Sequence, residues 1–587
     1  MKKLLKTLSI PILLAGFLVV NSCSEEFLTK EPKAVVPGTV IESPEGVEAL
    51  VYGVYERMQN GGSMFGGAMV SDWTYSGGCS DDAYKGTSAG DQSNFNLLEQ
   101  YEALPNNPYM NERWTLCYDG VARANVALEF LKKVQAGSNK IPDARAIAIE
   151  AELKFLRAWF HFQANKIFEK IPYIKTAEEL GSVKPEDVKN TDAGWDGIEE
   201  DLDFAIANLP VDKYLSQPGR VTKYAAQAYK AQAHMYQKEY ALAKPLLDAL
   251  ITSTKFSLVP EYSWNFDMTH ENNAESIFEL QCTTTATAHS AVHGSGCNFH
   301  QKGPASSGGW GFYQPSRNLF DAFQTTAEGL PVLDPANRVH LVTDMGVGSG
   351  TDFTPTDQPL DPRVDHLVAR RGIDFLGWGI HPGNDWIREQ NNGGPMMTKV
   401  FMHKASEQSM NLNGSGFGNG KNYRMMRYAS ILLWRAECAV EDNDFELART
   451  YVNMVRNRAK TSTPVMGLCA STKDLTVSPV VDWTKPAANY KVEPYPAGFP
   501  FDSKANALKA VQEETRLEFA LQNHRFFDLR RWGILATTLQ SYIEDDKQFR
   551  TFMQKATFEP GKDEYWPIYQ GVIDLQPGII EQDGDYK

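Results

Sequence analysis

Two stretches of the chain carry the clearest helical periodicity, and each is followed by a second helix after a short break. In the first stretch, apolar and small residues recur at spacings of four, three and four, at Tyr224, Ala228, Ala231 and Met235. Residues at these spacings share one face of an α-helix. A polar break at 238–239 precedes a second predicted helix over 240–251. The pattern therefore predicts a pair of helices joined by a tight turn.

The second stretch repeats this plan later in the chain. Its first helix is predicted over 423–440, a polar turn follows at 442–444, and the next helix opens at Phe445. Small residues such as Ala436 and Ala439 allow paired helices to approach closely. Such pairs resemble tetratricopeptide-like hairpins, which need stacked neighbours to bury their apolar faces.

Further helical patterns supply such neighbours and are separated by long irregular segments. Helices are predicted over 119–134, 144–168, 195–209 and 507–536. The segments between the helical parts are rich in Gly, Ser, Asn and Pro, carry many aromatic residues, and span 60–115, 282–315, 345–422 and 462–505. Long irregular segments in a compact protein are usually functional. No linker divides the chain, so we expect one large domain over 23–587.

The first residues predict secretion. Three lysines lie within the first six residues, and the apolar stretch 8–20 is too short to span a bilayer as a mature helix. The stretch leads to Cys23 in a context similar to a lipobox, so we expect 1–22 to be a signal peptide and Cys23 to be lipidated. Several acyl chains on one residue give firm anchoring. Ordinary secretion with an unmodified Cys23 is the alternative.

The acidic segment after this cysteine bears on the final location. Residues 24–26 (SEE) resemble the signal that directs Bacteroidetes lipoproteins to the outer face of the outer membrane. We therefore expect a lipid-anchored protein at the cell surface.

The formal charge and the cysteine pattern disfavour several classes of function. A net charge of −15 disfavours binding to a phosphate backbone, because nucleic-acid-binding proteins present a basic face. With Cys23 acylated, six cysteines remain and none forms a Cys-x-x-Cys pair, so neither a redox dithiol nor a zinc knuckle is predicted. An oxidising location permits a disulfide between Cys282 and Cys297, and six unpaired buried cysteines are the alternative.

Several motifs together resemble the SusD/RagB family of outer-membrane lipoproteins. The most specific match is formed by 514–519 (ETRLEF) and 524–533 (HRFFDLRRWG). The other matching segments are 23–28 (CSEEFL), 151–159 (AELKFLRAW), 171–173 (IPY), 315–323 (PSRNLFDAF), 361–363 (DPR) and 565–568 (YWPI). The resemblance covers essentially the whole chain.

This resemblance implies both a fold and a function. The fold is expected to be mostly α, with tetratricopeptide-like hairpins, long irregular loops and few short strands. The function is expected to be capture of an oligo- or polysaccharide at the cell surface and its delivery to a SusC-like, TonB-dependent outer-membrane transporter, with no cofactor. Capture of oligopeptides by the same arrangement is one alternative, and a pure interaction scaffold is another.

The chain departs from the family pattern at 521–523, where Leu-Gln-Asn replaces the usual Phe-Glu-Gly. Asn523 adopts the left-handed conformation more readily than other non-glycine residues, so the local fold can be retained. For the Arg and Asp residues of this C-terminal motif, a structural role in holding helices together is favoured over ligand binding.

Aromatic residues in the loops are the candidates for sugar binding. A sugar ring is recognised by flat apolar faces flanked by polar groups that bond its hydroxyls. Trp73 and Trp310 are preferred because their sequence neighbours are small and polar. The predicted ligand-binding residues are Trp73, Tyr84, Asn96, Trp310, Tyr313, Trp378 and Trp386. For each of them, the alternative is a side chain that pins its loop to the core.

Metal binding is weakly indicated. Zinc-ligating atoms are offered by His289, His293, Cys297 and His300, but no helix is predicted to align them, and we predict no metal site. The acidic pair Asp81 and Asp82 and the turn at 442–444 lack the alternating spacing of a calcium-binding EF-hand loop. Solvated turns are the favoured interpretation of both.

An enzyme is the main rival class of function. A glycoside hydrolase needs two carboxylates flanking the scissile bond, which the many acidic residues of the chain could supply. The sequence contains no Gly-x-Ser-x-Gly elbow, no His-Glu-x-x-His helix and no phosphate-binding loop. We therefore predict no catalytic residues.

Overall fold

The computed structural model describes residues 38–59, 71–282, 310–410 and 420–586. Within these residues, every helix is too short or too polar to cross a lipid bilayer. The α-helices are α1 (Gly38–Ile41), α2 (Pro44–Gln59), α3 (Ser93–Glu99), α4 (Pro108–Ala136), α5 (Asp143–Phe168), α6 (Ala177–Leu180), α7 (Trp195–Asn208), α8 (Lys223–Tyr236), α9 (Tyr240–Thr252), α10 (Arg317–Ala322), α11 (Val364–Leu367), α12 (Gln390–Gly393), α13 (Tyr428–Glu441), α14 (Phe445–Thr461), α15 (Lys504–Phe519), α16 (Arg525–Trp532), α17 (Leu535–Asp546) and α18 (Gln570–Leu575).

The strands are few and short, as predicted. They are β1 (Ala83–Gly86), β2 (Ser276–Leu280), β3 (Phe312–Pro315), β4 (Val368–Ala369), β5 (Met397–Thr398), β6 (Tyr423–Arg427), β7 (Met466–Cys469) and β8 (Val481–Pro486). They form antiparallel pairs, β1 with β3, β2 with β6, β4 with β5 and β7 with β8. The described part of the chain is therefore mostly helical, which confirms the predicted fold class.

The two predicted helical hairpins are present and pack on each other. Helix α8 pairs with α9, α13 pairs with α14, and α9 lies against α13. The side chain of Thr222 caps the start of α8 and that of Asp444 caps α14, each accepting a backbone N–H. Asn443 has a φ of 60°, the left-handed conformation that asparagine tolerates in a tight turn. The turn predicted at 442–444 is thus confirmed.

The predicted neighbours α4, α5 and α7 extend this stack. Helix α5 packs against both α4 and α7, and α2 lies against α4. The predicted inner face of α5, which includes Phe155 and Phe162, is buried in the core of the hairpins. Helix α4 begins before the predicted position 119, because Pro108 occupies its first position and Asn107 caps it. The pair Asn107-Pro108 in the sequence is the signal for this earlier start of the helix.

The segment 423–427 was wrongly predicted to be helical. It forms β6, which pairs with β2 through Tyr423 opposite Leu280 and Arg427 opposite Ser276. Two methionines in this segment favour a helix by propensity alone. Pairing with β2 overrides that propensity, and it carries Arg427 into a buried cluster of charges.

The single helix predicted over 507–536 is also wrong, because the structure divides this region into α15, α16 and the start of α17. Leu521 and Asn523 have φ values of 61° and 67°, which interrupt an α-helix. Gly533 has a φ of 77° and ends α16 in the left-handed conformation typical of a helix terminus. The expected left-handed conformation of Asn523 is confirmed.

A buried network of charged side chains joins the helical hairpins to the rest of the fold. It contains four arginines and four carboxylates: Arg363, Arg427, Arg456, Arg458, Asp361, Glu275, Glu514 and Glu518. Each is at most 5 % exposed. The equal numbers of cations and anions matter, because an uncompensated buried charge costs several kcal/mol.

Glu518 on α15 lies at the centre of this network. Its Oε2 accepts a hydrogen bond from Arg363 at 3.1 Å, and its Oε1 accepts one from Arg427 at 2.9 Å and another from Arg458. Burial by itself raises the pKa of Glu518, but the charges of Arg458, Arg427 and Arg363 outweigh burial and lower this pKa to about 2. Glu518 therefore stays ionised in the folded protein at pH values well below the usual pKa of a glutamate.

This shift predicts a specific acid sensitivity. The unfolded-state pKa of a glutamate is about 4.3, so ionised Glu518 contributes stability above that pH, and the contribution is lost as the pH falls toward 2. We expect Glu518→Gln to lower the free energy of unfolding at neutral pH by about 3–5 kcal/mol, because buried arginines lose their counter-charge. Urea unfolding followed by circular dichroism, repeated from about pH 7 to pH 3, measures both the loss and a shallower pH dependence.

The matched control is Glu446→Gln, which removes an exposed carboxylate paired with Arg449. We expect this variant to show the stability and the pH dependence of the wild type, because exposed ion pairs contribute little. Equal behaviour of the two variants would contradict a central role for Glu518.

Candidate functional site

The pairing of β1 with β3 brings together two distant loops that carry predicted ligand-binding residues. Gly86 lies opposite Phe312, and the amide of Thr87 donates to the carbonyl of Gly311. Gly86 has a φ of +78°, and a Cβ on it would lie 2.4 Å from that same carbonyl oxygen. Glycine is thus required here, and its close approach places Trp310 beside the loop that follows β1.

Two arginines from the C-terminal motif fix the segment that leads into β1. Arg525 binds both oxygens of Asp81 at 2.8 Å, and Nε of Arg516 binds Asp82 at 2.9 Å. Burial alone raises the pKa of Asp81, but Arg516 and Arg525 outweigh it and hold this pKa well below its usual range. The structural role predicted for the arginines is confirmed, whereas the prediction of a solvated turn at Asp81 and Asp82 is wrong, because both are buried and ion-paired.

A third segment is fastened to β1 by Asn392 on α12. Its amide Nδ2 donates to the carbonyl of Gly86 at 2.8 Å and to that of Thr87 at 3.3 Å. The carbonyl of Asn392 in turn accepts from Nε of Arg550 at 2.8 Å. These bonds bring Arg388, four residues before Asn392, to the end of β1.

The three segments meet in a small, partly exposed patch, the Trp310 surface, formed by Trp310, Arg388 and Asp91 over the buried Thr87. Nη1 of Arg388 donates to Oδ2 of Asp91 and to Oγ1 of Thr87, both at 3.1 Å. The guanidinium carbon of Arg388 lies 5.6 Å from the centre of the Trp310 ring, within cation–π range. The side chains of Arg388 and Asp91 are 35 % and 21 % exposed, and Trp310 is half-buried.

Polar atoms on the Trp310 surface remain available for a ligand. Nε and Nη2 of Arg388, and Oδ1 of Asp91, make no hydrogen bond to any residue that the structure describes. A partly exposed indole therefore lies beside two donor atoms of Arg388 and one acceptor atom of Asp91. Both side chains are held in place by hydrogen bonds with Thr87. Sugar hydroxyls both donate and accept, so this combination suits a pyranose ring.

Hydrogen bonds from Lys85 and Asn96 hold the loop of Asp91 in shape. The ammonium group of Lys85 donates to the carbonyls of Ser88 and Asp91, at 3.1 and 2.6 Å. Burial lowers the pKa of Lys85 to about 8, although Glu99 and Asp91 oppose that shift. Nδ2 of Asn96 donates to the carbonyl of Ala89 at 2.8 Å, so Asn96 supports the same loop.

Four of the predicted ligand-binding residues lie in the core. Trp73, Tyr84, Tyr313 and Trp386 are 1 %, 3 %, 0 % and 8 % exposed. Rings this deeply buried present no face for stacking on a sugar. For these four, the structure favours the alternative interpretation, in which an aromatic side chain pins its loop to the core.

The contacts of the buried rings give the physical reason. Trp73 makes edge contacts with Phe95, Phe312 and Tyr313, with ring centres 4.8 to 5.9 Å apart. The hydroxyl of Tyr313 donates to Oδ1 of Asn523 at 2.6 Å. The apolar surface that covers Trp73 thus comes from distant segments, and the small polar neighbours of Trp73 in the sequence gave no sign of it.

The two remaining buried residues, Tyr84 and Trp386, lie in different parts of the structure, and Trp378 lies near Trp386. The hydroxyl of Tyr84 donates to Asp546 at 2.9 Å, and its ring stacks under Arg550. Trp386 packs against Phe375 in a small separate core. Trp378 borders that core, is half-buried, and donates from Nε1 to a backbone carbonyl at 3.1 Å. Of the predicted set, Asn96 and Trp310 are linked through the loop of Asp91, because Asn96 donates to Ala89 in this loop and Arg388 donates to both Asp91 and the carbonyl of Trp310.

Sequence reasoning missed Arg388, Asp91 and Thr87. An arginine two residues after Trp386 in a Gly- and Asn-rich loop was the available signal, since a charged side chain beside an aromatic is a common feature of polar ligand sites. The pairing of Arg388 with Asp91 depends on the contact between α12 and β1, which no local pattern reveals.

Some predictions concern residues outside the described ranges. Cys23 lies there, as do His289, His293, Cys297 and His300, which offer zinc-ligating atoms but for which no metal site is predicted, so lipidation and the pairing of Cys297 with Cys282 stay predictions. The cysteines at 79, 117, 438 and 469 are free thiols.

Within the described residues, Glu199, His234 and Glu239 hold potential metal-ligating atoms within 4.8 Å of one another. Nδ1 of His234 is hydrogen-bonded to Glu239 at 2.8 Å, and Glu199 accepts from Gln237 at 2.7 Å. These bonds account for the arrangement as a contact between α7 and the turn that joins α8 to α9.

Together these features define a class of protein, namely a stack of helical hairpins whose candidate binding surface lies on long loops held by buried ion pairs. The chain belongs to the SusD family, whose model matches residues 262–584. A second family model, described as "Starch-binding associating with outer membrane", matches residues 26–235. The predicted resemblance is thereby confirmed.

Individual relatives cover nearly the whole chain at low identity. SusD-like protein P25 of Formosa agariphila is 22 % identical over 578 residues, which span 97 % of this chain and 98 % of the relative. A SusD superfamily protein from Bacteroides vulgatus has a TM-score of 0.66 at 19 % identity, with 93 % of this chain and 99 % of that chain covered. Surface glycan-binding protein A from Bacteroides thetaiotaomicron, solved in complex with laminarihexaose, has a TM-score of 0.60 at 20 % identity, with 92 % and 99 % covered.

The burial of Trp73 yields a test that separates a core residue from a ligand residue. We expect Trp73→Ala to lower the free energy of unfolding by about 3–5 kcal/mol, because a cavity replaces a large buried ring. Trp310→Ala should cost much less, since its ring is partly exposed. Urea unfolding of both variants measures the difference. A Trp73→Ala variant that keeps its stability and loses glycan binding would show that this ring contacts ligand.

Proposed function

We propose that this protein captures a glycan at the cell surface and delivers it to a SusC-like, TonB-dependent outer-membrane transporter. The observation that carries the proposal is the Trp310 surface, where an indole lies beside fixed and unused hydrogen-bonding atoms of Arg388 and Asp91. An apolar ring face with flanking donors and acceptors is the combination that sugar recognition requires.

The names of the relatives support a glycan as the ligand class. One structural relative is a surface glycan-binding protein in complex with laminarihexaose, and one matching family model carries the description of starch binding. A β-glucan and a starch-type α-glucan are therefore the first two ligands to test.

The chemistry of the Trp310 surface supports binding without turnover. Glycoside hydrolysis requires two carboxyl groups on opposite sides of the scissile bond, one of which acts as an acid. The Trp310 surface has one carboxylate, that of Asp91, and this carboxylate is paired with Arg388 and bonded to Thr87. A fixed carboxylate of this kind can accept bonds from hydroxyls.

The proposed location rests on the N-terminal sequence and on the family description. Lipidation at Cys23 would anchor the protein in the outer membrane, and the matching family model is described as associating with that membrane. We propose the stacked hairpins as the face that contacts the transporter, since the candidate ligand atoms lie on the loops.

The central test is calorimetry of signal-free protein with laminarihexaose and soluble starch, followed by a panel of other polysaccharides. We expect Trp310→Ala and Arg388→Ala each to weaken binding roughly tenfold or more, because stacking and charge-assisted hydrogen bonds each contribute on the order of 1–3 kcal/mol. The glycan should be recovered uncleaved.

Trp264→Ala serves as the control for this test. Trp264 is also half-buried, but its contacts are with His270, at a ring-centre distance of 4.1 Å, and with Asn273 and Arg424, none of which belongs to the Trp310 surface. We expect this variant to bind like the wild type. Cleavage of the glycan would indicate a hydrolase, and absence of binding across the whole panel would favour peptide capture or scaffolding.

The anchor has its own test. When the full chain is expressed in a Bacteroidetes host, we expect Cys23→Ala to shift the protein from the outer-membrane fraction to soluble fractions, because a single cysteine carries all of the acyl chains. Immunoblotting of the fractions measures this shift, and Cys79→Ala controls for loss of a cysteine. Membrane retention of Cys23→Ala would contradict lipid anchoring at this residue.

A further inference from the structure

The β7–β8 hairpin carries an unusually exposed group of apolar side chains. Trp483 is 56 % exposed, and Val477 and Val480 are 80 % and 71 % exposed. The two strands pair in an antiparallel ladder with an irregularity between Met466 and Leu468. A tryptophan this exposed is uncommon on the surface of a folded protein, because tryptophan is highly buried on average.

Gly467 on the opposing strand, β7, lies against the indole of Trp483. A Cβ added to Gly467 would lie 2.8 and 2.9 Å from two atoms of the six-membered ring of Trp483, and 3.1 Å from a methyl carbon of Val481. The indole therefore lies directly against the backbone of β7, which covers one side and leaves the other side to solvent. Gly467 has a φ of +110°, a conformation that L-residues rarely adopt. The ring is thus held in place before any ligand arrives.

Polar residues precede and follow Trp483 along β8. Oδ1 of Asp482 accepts from the amide and the hydroxyl of Thr484, at 3.0 and 2.6 Å. Lys485 lies 3.2 Å from Oδ2 of the same aspartate, and both side chains stay largely open to solvent. An exposed ring with neighbouring acceptors and a cation repeats the chemistry of the Trp310 surface on a separate element.

The hairpin is fastened to the loop region that also carries Arg388. The carbonyl of Thr472 accepts from Nε of Arg371 at 3.0 Å, and the thiol of Cys469 donates to the carbonyl of Gly372 at 3.1 Å. Gly372 and Ile373 pair with His381, and the chain then continues through Trp386 to Arg388. One continuous stretch of backbone, 371–388, therefore contacts the β7–β8 hairpin at one end and carries Arg388, which donates to the carbonyl of Trp310, at the other.

We propose that Trp483 is a second stacking subsite for the same glycan, which engages sugar rings beyond those bound at the Trp310 surface. This inference rests on the proposed function. The three exposed apolar side chains of this hairpin are few compared with a protein interface, to which each partner contributes about 20–30 residues. One ring with flanking hydrogen-bonding groups matches one sugar unit, and two such subsites on one chain would favour polymers over short oligosaccharides by raising the effective concentration.

The test compares ligand lengths by calorimetry. The probes are laminarin and soluble starch as polymers, with laminaritriose and maltotriose as their short counterparts. We expect Trp483→Ala to weaken binding of the polymer roughly three- to tenfold and to leave binding of the trisaccharide unchanged. Trp310→Ala should weaken both. Because Trp483 is exposed, the melting temperature of Trp483→Ala should match that of the wild type.

Two further variants sharpen the result. Gly467→Ala should also weaken binding of the polymer, because the added methyl group would displace the indole of Trp483 from its position against β7. Val477→Ser removes an exposed apolar residue from the same hairpin and should leave binding at the wild-type value, which controls for general loss of apolar surface.

The outcomes separate the two proposals. Polymer binding unaffected by Trp483→Ala but weakened by Trp310→Ala overturns the subsite and leaves the proposed function intact. An equal loss of trisaccharide and polymer binding in Trp483→Ala overturns the assignment of a separate subsite. No binding of either polymer by the wild type contradicts the glucan ligand and the subsite together.

Discussion

Arg363, Arg427, Arg456 and Arg458 can be buried only because four carboxylates are buried with them, and this pairing constrains the rest of the fold. The partners come from β6, α14, α15, the residue before β2 and the turn before α11. Each element must reach its place for any charge to be compensated, since the cost of a lone buried charge exceeds the net stability gained from most single contacts. The helical hairpins and the loop-rich part are therefore stabilised as one unit.

Helix α15 connects the buried charge network to the candidate binding surface. Its Glu514 and Glu518 belong to the central network, whereas Arg516, between them in sequence, binds Asp82. Alternate residues of one helix thus serve two charge clusters. The second cluster fixes the segment that enters β1, and β1 in turn holds Trp310 and the loop of Asp91. Loops that look irregular in sequence are in this way placed by the most regular part of the fold.

The sequence predicted the hairpins well because their apolar periodicity is local. The pattern from Tyr224 to Met235 needs no distant partner to indicate a helix, and α8 and α9 lie close to the predicted bounds. Strand β6 was missed because its pairing with β2 is a tertiary contact. Trp73 was misjudged for the same reason, since Phe312 and Tyr313 cover it from far along the chain. The role of Arg388 could not be predicted from the sequence, because its contact with Asp91 depends on the packing of α12 against β1.

Trp483 lies against Gly467 with more than half of its side chain exposed, so the β7–β8 hairpin is held by its backbone pairing and not by this indole. Bonds from Asn392 and Lys85 shape the loops at the Trp310 surface, and backbone pairing shapes the β7–β8 hairpin. Exchange of the Trp483 side chain is therefore nearly neutral for folding. A single substitution at Trp483 can therefore change the chemistry of this surface in evolution while the architecture persists.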